Sequence, residues 1–182
     1  MAKQATERRT EESGLRGTMG EAWKVETLEL ADRPTAVRLL EIQRAAYAVE
    51  ADLIGFDDIP GRSETLENLV ATAMPLEWSG IRSDGTVVAA MAVSMQAGRC
   101  EIDRLVVDPR WFRRGLAQAL LSALPAGIDV TVSTGSANRP GISLYEAMGF
   151  DAESVETVAQ GLEITHLRRP AHRGIRRRPN RR

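Results

Sequence analysis

The sequence predicts a mixed α/β fold, in which a mostly antiparallel sheet of about seven strands carries helices on both faces. Helix-period segments alternate with strand-period segments between residues 23 and 168, and three consecutive strand patterns near the middle are separated by tight-turn residues. The C-terminal part then alternates strand, helix, strand, helix and strand. Domains commonly contain roughly 100–200 residues, so the 182 residues fit one domain. We place this domain at residues 23–167.

The N-terminal third of this domain is predicted to run strand, helix, loop, helix. Residues 23–30 alternate as a strand does. Asp32 can cap a helix whose 3.6-residue apolar period continues until it stops at Gly55. After a loop, Ser63 is placed at the start of a short helix that ends near Thr72.

The middle of the chain is predicted to be an antiparallel meander. Asp84 with Gly85, and Ala97 with Gly98, are typical of tight hairpin turns. The three strands that they join are predicted at residues 76–82, 86–95 and 99–107.

The C-terminal part returns to alternating elements. Leucine spacing predicts a helix from Trp111 to Leu124, where Pro125 ends it. Gly149 ends a second helix. The remaining predictions are a strand at residues 127–133, that second helix at 138–148, and a closing hairpin of residues 150–159 and 161–168.

Composition excludes several classes of protein. No apolar run approaches the roughly 18 residues of a membrane helix, so no membrane association is expected. Cys100 is the single cysteine and the chain has 2 histidines, so neither a disulfide nor a structural zinc site is expected, and no metal is predicted. No apolar stretch follows Arg8 and Arg9, so we expect no export signal and a cytoplasmic location.

Charge is divided unevenly along the chain. Residues 23–167 hold 12 Lys and Arg against 21 Asp and Glu, a net charge of −9, whereas residues 168–182 hold eight arginines and no acid. The acidic body favours cationic ligands and disfavours a nucleic-acid partner. The Arg-rich tail 168–182 and the N-terminal extension 1–22 have little to bury, and both are predicted to be disordered.

One window combines a strand, a turn and a glycine-containing helix start. The predicted strand ends at Val107, Asp108 and Pro109 turn the chain, and a helix opens on Arg113–Ala117. Small residues at 115 and 117 let backbone N–H groups approach an anion, and the positive end of the helix adds attraction. The window predicts a phosphate-binding cradle, the alternative being a solvated turn with an ordinary glycine.

A second motif follows one strand later, in residues 138–150. Its side chains are Asn138, Leu144, Tyr145, Gly149 and Phe150. The first motif consists of Val107–Pro109 and Arg113–Ala117. The two motifs together resemble the GNAT N-acetyltransferase superfamily. The resemblance implies a GNAT-type sheet and acetyl-CoA as the acyl donor.

The resemblance also implies how the donor is held. The strand before the cradle is expected to be bulged, to diverge from the next strand, and to pair its backbone with the pantetheine arm. A backbone N–H of Val106 or Val107 is then expected to stabilise the reaction's oxyanion. The residues implied to contact the cofactor are Leu105, Val106, Val107, Arg113, Arg114, Gly115, Leu116, Ala117, Gln118, Asn138 and Tyr145.

Two residues are candidates for the proton transfers. Tyr145 matches the family's general acid, although it could also only pack against the cofactor. Glu101 matches a position that some members use as the base, and strand alternation places it on one face with Asp103, Leu105 and Val107. Asp103 is the rival base, and both carboxylates could instead be solvated or use a water chain.

The acceptor pocket is expected from the first two helices and their loop. Tyr47, Glu50, Asp57 and Asp58 gather there, an acidic group with one aromatic ring that suits a cationic amine. The alternative is an ordinary solvated face. The sequence leaves the acceptor's identity and the oligomeric state open, a homodimer included.

The resulting hypothesis is an acetyl-CoA-dependent N-acetyltransferase that acetylates a primary amine by direct attack in a ternary complex. The alternative is a non-catalytic acyl-CoA-binding module of the same fold. Phe112 supports this alternative, because the family usually has arginine or glutamine there.

Overall fold

The sheet and its helices follow the predicted order. The structure, a computed structural model, describes residues 22–57, 59–159 and 161–171. Its elements are β1 Glu26–Thr27, α1 Arg33–Ile54, α2 Leu66–Ala73, β2 Glu77–Ser83, β3 Thr86–Gln96, β4 Arg99–Val107, α3 Leu116–Ser122, β5 Asp129–Gly135, α4 Arg139–Ala147, β6 Asp151–Ala159 and β7 Leu162–Arg169. Short 3₁₀ turns occupy Pro60–Arg62 and Pro109–Trp111.

Within the described residues, seven strands form one sheet in the order β1-β2-β3-β4-β5-β7-β6. Every neighbouring pair is antiparallel except β4 and β5, which are parallel. One face packs its core against α3 and α4, and the opposite face packs a second core against α1 and α2. The predicted α/β fold, with helices on both faces of a mostly antiparallel sheet, is confirmed.

Helix α1 begins and ends where its sequence predicts. The Asp32 carboxylate accepts a hydrogen bond of 3.2 Å from the N–H of Thr35, and Gly55 ends the helix with a φ of +67°. For α2 the predicted start is wrong: Thr65, not Ser63, accepts from the N–H of Asn68. The preceding 3₁₀ turn ends at Ser63 and displaces the helix start by two residues.

Helix α3 is shorter than the predicted 111–124. Arg113 and Gly115 both have positive φ, at +62° and +79°, so the chain cannot be helical through them. Trp111 belongs to the 3₁₀ turn instead, and the helix starts at Leu116. Strand β1 is likewise reduced to two residues of the predicted 23–30.

A bulge in β4 sets the geometry of the sheet's centre. Ala92 pairs with Arg104 and Val93 with Ile102, so Asp103 has no partner on β3. Strand β4 pairs with β5 only from Arg99 to Ile102, and the two strands diverge beyond the bulge. The predicted bulge and divergence are therefore present.

The bulge overturns one prediction about faces. Cys100 and Ile102, before it, pack into the same core as Leu105 and Val107, after it. An extra residue reverses the alternation of side chains. The expectation that Glu101 shares a face with Leu105 and Val107 is therefore wrong.

The C-terminal boundary of the domain also shifts. Strand β7 includes Arg168 and Arg169, which the sequence assigns to the tail. Arg168 donates to Asp129 of β5 at 2.5 Å and to Glu153 of β6 at 3.2 Å, so two acids on the neighbouring strands compensate its charge. Residues 1–21 and 172–182, most of the two stretches predicted to be disordered, lie outside the described residues. No helix in the described ranges is long and apolar enough to span a membrane.

A buried carboxylate fastens the turn after β4 to helix α1. Asp108 is 4% exposed and accepts hydrogen bonds from Arg110 and from Arg38 of α1. Arg38 also donates to the carbonyl of Val87 at 3.1 Å. Hydrogen bonds from the Arg110 side chain, with those from its backbone and from Arg38, hold the pKa of Asp108 well below its usual range.

Asp108→Asn is expected to destabilise the protein by about 3 kcal/mol at neutral pH, because it removes the buried charge that compensates Arg38, whose other carboxylate partner, Glu41, is largely exposed. This loss of stability is at the low end of the range for breaking a buried ion pair, because the other partner of Asp108, the Arg110 side chain, is 75% exposed. A carboxyl whose folded pKa is lowered stabilises the fold above its unfolded pKa of ~3.9 and loses that effect as pH falls. Urea unfolding should therefore show the gap between wild type and variant closing below about pH 4.

The exposed Asp151, which makes no ion pair within the described residues, provides the matched control. Asp151→Asn should change stability by less than about 0.5 kcal/mol. A deficit in Asp108→Asn that persists unchanged at pH 3 would contradict the ion-pair explanation.

Candidate active site

A cleft of about 520 Å³ opens where β4 and β5 diverge. Strand β4 lines it from Ile102 to Leu105 and again at Val107, and β5 lines it from Val132 to Thr134. Helix α1 closes one side, and the beginnings of α3 and α4 close the other. The divergence thus gives side chains from both faces of the sheet access to one space.

The predicted cradle lies at the α3 end of this cleft. Gly115 is the N-cap of α3 and offers no side chain to cap it, and the first backbone donor bonded within the helix is Ala119, to the carbonyl of Gly115. The N–H groups of Leu116, Ala117 and Gln118 precede that bond and therefore lack a partner within the helix. A Cβ built on Gly115 meets nothing within 4 Å, so the space in front of the cradle is open.

Aromatic residues hold one side of the cradle. The Arg114 guanidinium lies 4.5 Å from the ring centroid of Trp111, and the Arg114 carbonyl accepts a hydrogen bond of 2.8 Å from the indole of Trp23. Trp23 and Trp111 meet edge to face at 6.0 Å. The segment before β1 therefore fixes the loop that carries Arg114, a contact that the sequence prediction missed.

Tyr145 reaches the cleft from α4. It is 7% exposed, lines the cleft, and packs its ring edge against Phe150 at a centroid distance of 5.5 Å. Burial raises the pKa of Tyr145 above that of an ordinary phenol, and the charge of Glu50 raises it further. The hydroxyl therefore keeps its proton throughout the neutral range.

Glu50 of α1 connects three elements at the wall of the cleft. Its Oε1 accepts hydrogen bonds of 3.2 Å from Thr134 and 3.1 Å from Asn138. Asn138 also donates to Thr134 at 3.0 Å, and its Oδ1 accepts from the N–H of Gly141 at 3.0 Å, which caps α4. Asn138 thus fixes the α4 start against α1 and β5, while Oε2 of Glu50 makes no hydrogen bond to another described residue.

A buried ion pair supports the loop beside the cleft. Arg104, the residue after the bulge, donates to Glu64 at 2.5 and 3.1 Å and also to Gln43 of α1. Burial raises the pKa of Glu64, but hydrogen bonds from Arg104 and Gln43 outweigh it, so the pKa is lowered. The Arg104 and Glu64 side chains are 16% and 12% exposed. This pair anchors the segment between α1 and α2 to strand β4.

Tyr47 lies against that segment. A Cβ at Gly61 would come within 2.1 Å of the Tyr47 ring, so only glycine allows this close contact. Burial raises the pKa of Tyr47 to about 12, although the charge of Arg104 opposes this shift. Tyr47 presents a neutral aromatic surface to the cleft.

The sequence profile of the Acetyltransferase (GNAT) family matches residues 37–150, which include the cradle and the Asn138–Phe150 motif. The chain belongs to this family. The match confirms the resemblance on which the cradle and Tyr145 are interpreted. It covers the whole cleft, from α1 to the end of α4.

Known proteins resemble this GNAT chain in sequence and in fold. The chain is 32% identical over 152 residues to the UPF0157 protein YqkA of Bacillus subtilis, covering 79% of this chain but 43% of that protein. Its fold is similar to the ribosomal-protein-S18-alanine N-acetyltransferase of Escherichia coli, with a TM-score of 0.65, 18% identity, and coverage of 81% of this chain and 93% of that one. It is also similar to the PaiA N-acetyltransferase of Thermoplasma acidophilum in complex with coenzyme A, with a TM-score of 0.61, 17% identity, and coverage of 80% and 98%.

Most of the cofactor residues predicted for this GNAT protein lie at the cleft. Leu105, Val107, Asn138 and Tyr145 line it, as do four of the cradle residues, Arg113, Gly115, Leu116 and Ala117, together with Gln118. Val106 points its buried side chain into the core beneath α1 and α2, and Arg114 stacks on Trp111. Phe112, at the position of the family's arginine or glutamine, is 40% exposed and also lines the cleft.

The predicted catalytic and acceptor residues of the GNAT protein divide into two groups. Tyr47, Glu50 and Asp103 line the cleft. Asp57 does not: its side chain is 91% exposed and forms an ion pair with Arg62 at 2.7 Å. Glu101 is exposed and outside the cleft lining, because the bulge turns it away from Leu105. Asp58 lies outside the described residues.

The GNAT cleft also contains polar residues that the sequence analysis did not select. Ser133 and Thr134 of β5 line it, and so does Arg104 of β4. Serine and threonine on a strand give no distinctive signal in a sequence, so only the strand pairing reveals them. No group of three or more His, Cys, Asp or Glu side chains in the described ranges is arranged to hold a metal ion.

Proposed function

We propose that this GNAT protein is an acetyl-CoA-dependent N-acetyltransferase that transfers an acetyl group to a primary amine in a ternary complex. The observation that supports the proposal is the single cleft that joins an open backbone cradle to a protonated tyrosine and an acidic wall. Relatives of similar fold include one in complex with coenzyme A and another, YncA from Salmonella typhimurium, with its cofactor acetyl-CoA. We place the protein in the cytoplasm, where its buried free Cys100 would stay reduced.

The residues present fit acetyl-CoA. The cradle offers unpaired backbone N–H groups in front of an open space, which suits a diphosphate, and Arg113 and Arg114 add positive charge. Beyond Ile102, the edge of β4 that faces β5 has no strand partner, so the backbone of Leu105–Val107 is free to pair with an extended arm. Bound acetyl-CoA supplies an activated acetyl thioester at this point of the cleft.

The remaining steps belong to the protein's own side chains. The Tyr145 hydroxyl holds a proton that it can donate to the leaving sulfur. The N–H of Asp108 donates to Val88 of β3, so the alternating N–H of Val107 faces away from β3 and can donate to the carbonyl oxygen that gains charge during attack. Tyr47 and Glu50 form the wall that an acceptor amine meets.

Glu50 is proposed to bind the acceptor's ammonium group through its free Oε2. Glu50→Gln keeps the size of the side chain and its hydrogen-bonding oxygen but removes the charge. We expect KM for a primary alkylamine to rise about tenfold, because a hydrogen bond to a charged group contributes ~1.5–3 kcal/mol. For a neutral arylamine KM should change little, and kcat should be nearly unchanged for both.

Steady-state kinetics at two salt concentrations check this prediction. Added salt should raise the wild-type KM for the alkylamine, because it screens the attraction, and should do so less in Glu50→Gln. Glu41→Gln, on the same helix but outside the cleft, provides the matched control and should behave as wild type. Equal KM changes for the charged and neutral amines would contradict a charge-based role for Glu50.

The proposed function itself is tested by screening a panel of primary amines for release of free CoA from acetyl-CoA, with each product identified by mass spectrometry. Turnover with at least one amine supports the proposal. If calorimetry shows acetyl-CoA binding but no amine is acetylated, the result would support the alternative, a non-catalytic acyl-CoA-binding module. The exposed Phe112 is the residue that most favours this alternative.

A further inference from the structure

Three polar side chains form a continuous chain across the neighbouring strands β5, β7 and β6. Ser133 lies directly opposite His166, and its Oγ is 2.8 Å from Nδ1 of the imidazole. The other ring nitrogen, Nε2, is 3.3 Å from Oε2 of Glu156. Neither the family motifs nor the predicted site residues include any of the three.

The carboxylate determines which ring nitrogen carries the proton. An ionised Glu156 can only accept a hydrogen bond, so neutral His166 must place its proton on Nε2. Nδ1 is then left as an acceptor for the Ser133 hydroxyl. The three groups are thus oriented so that Ser133 can pass its proton to His166.

The chain of groups runs from the cleft to solvent. Ser133 lines the cleft next to Thr134, a partner of Glu50. The His166 and Glu156 side chains are 40% and 64% exposed. A proton that enters at Ser133 therefore reaches an imidazole that water can contact directly.

Resting on the proposed function, we propose that Ser133 and His166, oriented by Glu156, form the proton relay that deprotonates the acceptor amine. The acceptor ammonium gives its proton to Oγ of Ser133 as the Ser133 hydroxyl proton moves to Nδ1 of His166. The resulting imidazolium releases a proton to bulk water, and the neutral amine keeps the lone pair that attacks the thioester. No oxidant or further reactant is needed, and Ser133 ends each cycle unchanged.

The relay divides the proton transfers among different groups. Tyr145, protonated in the neutral range, supplies a proton to the leaving sulfur and cannot also remove one from the amine. Glu50 holds the ammonium through its free Oε2 while Thr134 and Asn138 occupy Oε1, so its role is charge attraction, which acts on KM, and the proton transfer falls to a separate group. His166 is the one histidine within the described residues, and histidine is the side chain best suited to exchange protons at neutral pH.

Acetyl transfer to two amines of different basicity tests the relay. A primary alkylamine with a lysine-like pKa of about 10 is almost wholly protonated at pH 7, whereas an arylamine is already neutral. His166→Gln and Ser133→Ala are each expected to lower kcat/KM for the alkylamine by about 10², within the range for general base catalysis, and far less for the arylamine. Calorimetry should show unchanged acetyl-CoA affinity in both variants.

Two comparisons separate the relay from a structural effect. Ser154 lies opposite His166 on the other neighbouring strand, so Ser154→Ala is matched to Ser133→Ala and should behave as wild type. Added imidazole should restore alkylamine turnover in His166→Ala, because the half-exposed site admits it, but should not restore turnover in Ser133→Ala. Equal losses for both amines, or the alkylamine-specific loss appearing in Glu101→Gln instead, would overturn the relay.

Nitrogen NMR of the imidazole tests the same proposal without an acceptor. The chain contains 2 histidines, so the His166 ring signals are assigned by comparison with His166→Gln. We expect the neutral ring to carry its proton on Nε2 in the wild type and to lose this preference in Glu156→Gln. A proton on Nδ1 in the wild type would overturn the relay.

Failure of the relay and failure of the proposed function give different results. A wild-type protein that releases no CoA with any amine overturns the function and the relay together. A wild-type protein that is active, with variants of Ser133 and His166 that keep full alkylamine turnover, overturns the relay alone. An acetylated Ser133 found by mass spectrometry after incubation with acetyl-CoA would also overturn it, because the serine would then be a nucleophile.

Discussion

Tyr145→Phe is expected to lower kcat by about 10²–10⁴ and to leave acetyl-CoA affinity nearly unchanged. The substitution keeps the ring and its edge contact with Phe150 and removes only the hydroxyl. No hydrogen bond joins that hydroxyl to another described residue, so no other side chain loses a partner. The loss should therefore appear in kcat as missing proton donation, and calorimetry of the folded variant checks the affinity.

The buried environment of Tyr145 adds a pH criterion. Because burial raises its pKa above the ordinary ~10 of a phenol, wild-type kcat should show no loss of this proton below pH 10. The variant should consequently be impaired by a similar factor across pH 7–9. Tyr47→Phe serves as a comparison, since we propose that Tyr47 lies at the acceptor wall of the cleft, where removing its hydroxyl should affect KM more than kcat. If Tyr145→Phe turns over as fast as the wild type, Tyr145 is not the proton donor and only packs against the cofactor.

The features that could be predicted from the sequence are those encoded within a few neighbouring residues. The caps of α1 at Asp32 and Gly55 depend on local backbone geometry and appear where predicted. The cradle is also local, because Gly115 and the residues beside it follow one another in the chain. Helices α2 and α3 are the exceptions. A 3₁₀ turn precedes α2 and moves its cap to Thr65, and Arg113 before α3 adopts a positive φ that arginine rarely adopts.

The features that could not be predicted depend on how distant strands pair. The register of β4 against β3 leaves Asp103 unpaired. This one extra residue places the side chains of Glu101 and Leu105 on opposite faces of the sheet. Ser133 and His166 are 33 residues apart and meet only because β7 inserts between β5 and β6. Trp23 and Arg114 are 91 residues apart. The cradle, where we place acetyl-CoA, is thus formed by consecutive residues and could be predicted. The part of the candidate site where we place the acceptor is assembled by the strand order and could not.

Gly115→Asp is expected to reduce acetyl-CoA affinity at least tenfold, with a loss exceeding about 2 kcal/mol. The added carboxylate would occupy the open space before the cradle, where we place the diphosphate, and would repel it. It would also compete for N–H groups at the start of α3, and each charge-assisted hydrogen bond lost is worth ~1.5–3 kcal/mol. Calorimetric titration of the folded variant with acetyl-CoA measures the effect.

Backbone strain must be separated from charge, because Gly115 has a φ of +79° that a residue with a side chain adopts at a cost of roughly 1–2 kcal/mol. Gly98 has a φ of +78° and equally open surroundings, but it lies in the hairpin turn before β4, at the end of that strand far from the cradle. Gly98→Asp therefore adds the same strain and charge and should bind acetyl-CoA as wild type does. Gly115→Ala adds strain alone and should bind with intermediate affinity. If Gly115→Asp binds acetyl-CoA as tightly as Gly98→Asp, the diphosphate does not lie at this cradle.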